Sequence, residues 1–178
     1  SSGGFLLHAL DAVRKEADRV QKPGTAQHFR HWHDFAQNNL YGIEINRDIA
    51  RVAKMNMIVH DDGHTNIAAA NALGPITAML ERNAGFRQNG FDLVLTNPPF
   101  GATAKDVDIP SLKDEFDLFN KTDAKGKRKP LAQQKSEILF LERIWHYLKP
   151  KTGRAAIVVP DGILTSSSLQ PVRDWLLE

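Results

Sequence analysis

Apolar positions along the chain switch between a helical and an extended period. Leu6, Leu10, Val13, Ala17 and Val20 fall on one face at helical spacing, with Arg14, Lys15, Glu16 and Arg19 filling much of the rest. The spacing predicts an amphipathic helix that ends at Pro23-Gly24. Leu40 to Ile45 is short, rich in strand formers and bounded by Asn39 and Asn46, so it reads as a buried strand ending in an acid. A helix is expected from about Arg47 to His60, turning Ile49, Val52, Ala53, Asn56 and Met57 toward a sheet, until Asp61-Asp62-Gly63 breaks it. Asn66 to Ala70 is a weaker strand, followed by a turn at Asn71-Ala72-Leu73-Gly74-Pro75. The clearest strand is Phe91 to Thr96, which runs directly into Asn97-Pro98-Pro99-Phe100-Gly101. Residues 102–135 carry little apolar periodicity and much charge, and read as a long loop or an excursion from the core. Ser136 is placed to cap a helix with Ile138, Leu141, Ile144, Trp145 and Leu148 on one face. Lys149 to Gly153 ends it, and Ala155 to Val159 follows as another buried strand.

Short apolar strands alternating with amphipathic helices predict an α/β fold: a parallel-rich sheet with helices on both faces. In such sheets ligands lie beyond the carboxyl ends of the strands. Attention therefore falls on Glu44, Asn71, Asn97 and Asp161.

Composition narrows the classes of function. A length of 178 residues suits one domain with a real core. Lys+Arg 23 against Asp+Glu 21 gives a formal charge of +2, so any polyanion site must be a local patch. The absence of cysteine removes disulfide scaffolds, thiolate metal sites and cysteine nucleophiles together. No apolar run approaches the roughly 18–20 residues of a membrane span, and the expectation is a soluble intracellular domain. The opening Ser1-Ser2-Gly3-Gly4 and the closing Trp175-Leu176-Leu177-Glu178 both read as the interior of a motif, so the chain is expected to be incomplete at both ends. Within the polar stretch 25–39, His28, His31 and His33 have no carboxylate or thiolate placed to complete a metal site. That stretch reads as a surface linker or short helix.

Three features carry chemistry. An acid at a strand tip, Glu44, suits ribose hydroxyls, and equally suits an ordinary exposed strand end. Gly3-Gly4 before a helix lets a ligand approach the backbone, where the helix N-terminus favours a carboxylate or phosphate. Asn97-Pro98-Pro99-Phe100 is the most informative. Its two prolines exclude helix and remove two backbone donors, leaving a rigid, carbonyl-rich turn. There the Asn97 side-chain oxygen and the Pro98 carbonyl can accept from one planar amino group while Phe100 stacks on a planar ring. Two acceptors on its protons draw density back to the nitrogen, which suits methylation of an exocyclic amine without a strong base.

With Gly3-Gly4-Phe5-Leu6-Leu7, Tyr41 to Asn46, Met55 to His60, Asn97 to Gly101 and Val158 to Leu164 in this order, the sequence resembles the methylase subunit of type I restriction–modification systems. Those proteins are S-adenosylmethionine-dependent DNA adenine-N6 methyltransferases. The resemblance covers nearly the whole chain and implies a Rossmann-like methyltransferase fold. Here residues 1–178 would be the middle of the catalytic domain, without its first strand and closing strands. It implies that Gly3 and Gly4 end the glycine-rich cofactor loop, that Glu44 binds the ribose and that Ile45 packs on the cofactor's adenine. Asn71 stands where many relatives have an Asp that contacts the adenine amino group. Asn97, Pro98 and Pro99 form the turn that holds the target amine, and Phe100 stacks on the flipped base. As it stands the fragment is expected to bind cofactor poorly and to show little activity.

The implied partners are double-stranded DNA with a flipped adenine, a specificity subunit and a restriction subunit, in a prokaryotic cytoplasm and with no membrane. The cluster Lys121, Lys125, Lys127, Arg128 and Lys129 suits DNA phosphates or a solvated loop equally. His60 and His64 read as turn residues, and the chemistry requires no metal. The residues leave three alternatives open: N-methylation of a protein glutamine or an rRNA guanine, cytosine-N4 methylation of DNA, and a binding or assembly module without turnover.

Overall fold

A computed structural model describes residues 2–60, 66–109, 111–122 and 126–177. The expected break at Asp61-Asp62-Gly63, His64, and Lys125 of the basic cluster lie outside the described residues. The chain forms two compact units of mixed α/β structure, one from Ser1–Ala72 with Met79–Phe86 and one from Leu73–Ala78 with Arg87–Glu178.

The first unit is built on α1 (Gly4–Val20), α2 (Ala26–Asn39), β1 (Gly42–Glu44), α3 (Arg47–Val59) and β2 (Ile67–Ala69). Strands β1 and β2 pair in parallel, with Gly42 opposite Ile67 and Glu44 opposite Ala69, and α3 makes the crossover between them. Leu10, Ala17, Trp32, Ala36, Ala50, Ala53, Met57 and Ile67 form its core. Helix α3 buries Ala53 and Met57 as expected, but its covered face takes Ala50 instead of Ile49 and Val52, which are exposed. Small side chains are what close packing against the start of α1 requires, since a Cβ placed on Gly3 would meet Ala53 at 3.5 Å.

The histidine-bearing stretch is a full helix, with the Thr25 hydroxyl accepting from the His28 backbone N–H at 3.2 Å. His28 then pairs with Asp18 at 2.7 Å, and His33 stacks on Phe29 with ring centroids 4.7 Å apart. No group of three or more side chains able to hold a metal occurs among the described residues.

Helix α4 (Ile76–Arg82) is followed by the second unit's parallel strand β3 (Leu93–Thr96). Next come β4 (Thr103–Ala104), α5 (Leu112–Glu115), a 3-10 turn at Asp117–Phe119, β5 (Asn120–Thr122), β6 (Arg128–Pro130) and β7 (Gln134–Lys135). Then follow α6 (Ser136–Tyr147), β8 (Arg154–Ile157), α7 (Asp161–Thr165) and α8 (Gln170–Leu177). Strand β8 pairs with β3, setting Leu93 opposite Arg154 and Thr96 opposite Ile157. Neither strand is buried as its apolar run predicts: Leu93 is exposed and none of Arg154–Ala156 is covered. Among the described residues β3 and β8 pair as a two-stranded sheet.

Residues 102–135 hold short elements that periodicity does not reveal, and they bury Ala104, Leu112, Phe116 and Phe119 around Leu139 of α6. Polar groups on α6 secure this segment. Glu142 accepts from the backbone N–H groups of Asp117 and Leu118 at 2.5 and 2.8 Å. Arg143 donates to the Gly74 carbonyl at 3.0 Å and to Glu115 at 2.8 Å, its guanidinium lying 4.5 Å from the Phe116 ring centre. Trp145, expected on the buried face, is exposed and meets Trp175 edge-on at 5.4 Å.

Burial pushes the Glu142 carboxyl up from its ordinary value, against the pull of the two backbone donors. Both carboxyl oxygens are needed as acceptors, so Glu142→Gln turns an amide N–H toward a backbone N–H. The substitution should lower unfolding free energy by about 1–3 kcal/mol in urea titration, whereas an unchanged midpoint would show that these bonds do not hold the segment.

Candidate active site

In the first unit the parallel register brings the carboxyl ends of β1 and β2 to one edge. The Ala70 N–H donates to the Glu44 carbonyl at 3.0 Å, which extends the pairing past the last ladder residue. Glu44, Ile45 and Asn71 follow one another along that edge. Glu44 Oε1 accepts from the Asn46 backbone N–H at 3.0 Å. Burial pushes the Glu44 carboxyl up, while the backbone N–H groups of Asn46 and Ile45 pull it down. The bond from Asn46 gives the Glu44 carboxyl a fixed direction. Ile45 is 66% exposed, an apolar side chain offered at the strand tip. Asn71 is half-buried two residues beyond β2.

Helix α3 starts beside this edge, because the Asn46 side chain accepts from Asp48 and Ile49 N–H at 2.9 and 3.1 Å and so begins it there. The same helix carries the glycine turn. Asn56 Nδ2 donates to the Ser2 carbonyl at 2.9 Å, and Gly3 packs on Ala53. Gly3 has φ +91°, a left-handed conformation that costs an L side chain roughly 1–2 kcal/mol. It is the N-cap of α1, without a side-chain cap, and no acid occupies the first turn. A Cβ on Gly4 would have nothing within 4 Å. The α1 N-terminus therefore has no side-chain cap among the described residues, and helix starts of this kind favour a carboxylate. These residues fit the cofactor that the motif order implies: a carboxylate acceptor at the glycine turn, an acid for ribose hydroxyls and an apolar contact for a purine.

In the second unit Asn97-Pro98-Pro99-Phe100 leaves the carboxyl end of β3. The Val158 N–H donates to the Thr96 carbonyl at 3.1 Å, so the parallel pairing reaches the residue before the turn. Pro98 is buried, whereas Asn97, Pro99 and Phe100 are exposed, Phe100 to 45%. The Asn97 side chain and the Pro98 carbonyl make no hydrogen bond among the described residues, and the Phe100 ring has no aromatic partner there. Gly101 then reverses the chain at φ +75°.

The outer end of this turn is held from α6, by a residue that sequence reasoning assigned to another task. Ser136 does not cap the helix; Lys135 occupies the N-cap position. Buried Ser136 instead places its hydroxyl 3.3 Å from the Pro99 carbonyl and 3.2 Å from the Ala102 carbonyl, and its backbone N–H donates to Ala102 at 2.9 Å. Strand β7 just before it pairs with β4 just after the turn, Lys135 opposite Thr103. Asp161, also singled out by position, opens α7 after β8 and lies exposed, its carbonyl accepting from Thr165 at 2.9 Å. The signal that could have revealed Ser136 is its place at the head of a helix directly after a short polar strand.

Ser136→Ala removes the hydroxyl from both carbonyls, at a cost of about 1 kcal/mol or less in global stability. In the methyl transfer that the resemblance implies, the rate should fall by much more than that loss explains, with cofactor affinity unchanged and partial recovery in Ser136→Thr. Equal turnover in Ser136→Ala and the parent would remove its positioning role.

The family model described as N-6 DNA methylase matches residues 1–178. The methylase subunit of the type I restriction enzyme EcoEI of Escherichia coli is 28% identical over 165 residues, covering 92% of this chain and 27% of that protein. The MpnII methylase subunit of Mycoplasma pneumoniae is 28% identical over 181 residues, covering 99% of the chain and 29% of the relative. The type II restriction enzyme and methyltransferase RM.BcgI of Heyndrickxia coagulans is 30% identical over 105 residues, 59% of the chain and 14% of that protein. The chain thus spans less than a third of the length of these curated relatives. Matched from end to end by the family model, and carrying the Asn97–Phe100 turn at the tip of a parallel strand, the chain belongs to the N-6 DNA methylase family.

Proposed function

We propose that this protein transfers a methyl group from S-adenosylmethionine to the N6 amine of an adenine flipped out of double-stranded DNA. It does so as the modification subunit of a restriction–modification system, in the cytoplasm, beside specificity and restriction subunits. The two parallel β-strand pairs with their crossover helices are read as parts of a Rossmann-like methyltransferase fold. The observation that carries the proposal is the rigid turn at Asn97–Phe100, which offers two unengaged acceptors and an open aromatic ring together.

The first unit supplies the cofactor contacts. The Gly3–Gly4 backbone at the head of α1 receives the methionine carboxylate, Glu44 accepts from the ribose hydroxyls, and Ile45 and Asn71 meet the adenine. When bound, S-adenosylmethionine supplies an electrophilic methyl carried on a sulfonium. The second unit prepares the nucleophile. Asn97 Oδ1 and the Pro98 carbonyl would accept hydrogen bonds from the two N–H groups of the exocyclic amine, draw its lone pair out of conjugation and hold the positive charge that develops; as the new C–N bond replaces the methyl's bond to sulfur, one amine proton is released to water. Phe100 stacks on the extruded base and offsets part of the cost of unstacking it. The turn does this without reorganising, because its prolines and Ser136 hold it in place beforehand.

The full-length protein, given labelled S-adenosylmethionine and DNA bearing its recognition site, should place the label in N6-methyladenine after nucleoside digestion. Label in cytosine, in protein or in RNA instead would overturn the reading.

A further inference from the structure

Asn56 lies inside α3 and is half-buried. Asparagine is a poor residue for a helix interior, because its amide competes for backbone groups. Here the amide is engaged outside its own helix: Nδ2 donates to the Ser2 carbonyl at 2.9 Å, immediately before the glycine turn. The same region is braced a second time. The Asn56 carbonyl accepts from His60 Nδ1 at 2.7 Å, and the His60 carbonyl accepts from Arg14 Nη2 of α1. The Arg14 guanidinium lies 4.1 Å from the Trp32 ring centre. Helix α1 is thus joined to α3 both at its start and at Arg14.

A peptide unit is planar and trans, so its carbonyl and its N–H point in opposite directions. Holding the Ser2 carbonyl on Asn56 therefore turns the Gly3 N–H away from that side chain. The Gly3 N–H makes no hydrogen bond among the described residues. Helical bonding in α1 begins with the Leu7 N–H, which donates to the Gly3 carbonyl at 3.0 Å. The N–H groups of Gly4, Phe5 and Leu6 precede that bonding and have no acceptor within the helix. Glycine turns over easily, so a Ser2–Gly3 peptide released from Asn56 could present its carbonyl oxygen where the N–H had been.

We propose that Asn56 is a positioning residue for the cofactor: by fixing the Ser2–Gly3 peptide it aims the Gly3 N–H, with the start of α1, at the methionine carboxylate. The inference rests on the reading of this turn as the S-adenosylmethionine site. It adds to that reading a side chain that sets selectivity for the carboxylate by acting through the backbone.

The test compares the full-length protein with its Asn56→Ala variant, by calorimetry with S-adenosylmethionine and with decarboxylated S-adenosylmethionine. The second ligand keeps the sulfonium, the amine and the nucleoside but has no carboxylate. The parent should prefer S-adenosylmethionine. Asn56→Ala should weaken S-adenosylmethionine about tenfold, the order of one hydrogen bond to a charged group, and leave the affinity for the decarboxylated form unchanged. Alanine is the better helix former, so the unfolding midpoint should stay close to the parent's. A parent that binds both ligands equally, a variant that loses both equally, or a variant that loses neither would overturn the role of Asn56 alone. A parent that binds neither ligand would overturn both this role and the cofactor reading it rests on.

Discussion

A turn that contains two prolines in succession has no backbone N–H at either position, so it can neither continue a helix nor pair through those residues in a sheet. Pro98 and Pro99 impose that constraint on the chain leaving β3, and much of the second unit is arranged around it. The strand before the turn is fixed by pairing with β8 up to Thr96. Beyond the turn, Ser136 supplies the donors that the prolines lack, reaching the Pro99 and Ala102 carbonyls. The Asn97 side chain and the Pro98 carbonyl accept no hydrogen bond among the described residues, and in the proposed reading they are the acceptors for the target amine.

Helix α6 is the common support. Its first residue secures the turn, its apolar residues Ile138, Leu141 and Ile144 are buried, and Glu142 and Arg143 bind the segment between β4 and β7. The hairpin at 120–130 rests on that segment through Asn120 and Arg128. One helix therefore supports both the Asn97–Phe100 turn and the hairpin at 120–130. In the first unit α3 plays a similar part: it begins at the strand edge that bears Glu44 and holds the Ser2–Gly3 backbone through Asn56 and Ala53.

How much of this was legible beforehand depended on whether the determining contacts were local. The helix at 4–20, the parallel strands ending at Glu44 and Thr96 and the helix at 136–147 follow from periodicity that lies within each segment. The candidate site residues stood out because backbone chemistry marks them: consecutive prolines, consecutive glycines, an acid at a strand tip. Long-range pairings were not readable. The stretch 102–135 shows no period because its order comes from Glu142 and Arg143, whose roles on a helix cannot be told from solvated charges by spacing alone. Ser136 resembled a cap because a serine at a helix start usually is one, and only the position of Pro99 reveals its other partner. The exposure of Ile49, Val52 and Leu93 depends on which faces are covered, a matter of tertiary placement.

The central claim is that Asn97 prepares the amine while the cofactor is held elsewhere. Single-turnover methyl transfer by Asn97→Ala in the full-length protein, with cofactor affinity measured in parallel by calorimetry, tests it most directly. The account predicts a rate loss of about a hundredfold or more at nearly unchanged S-adenosylmethionine affinity. Transfer at the parental rate, or a rate loss wholly explained by weakened cofactor binding, would contradict it.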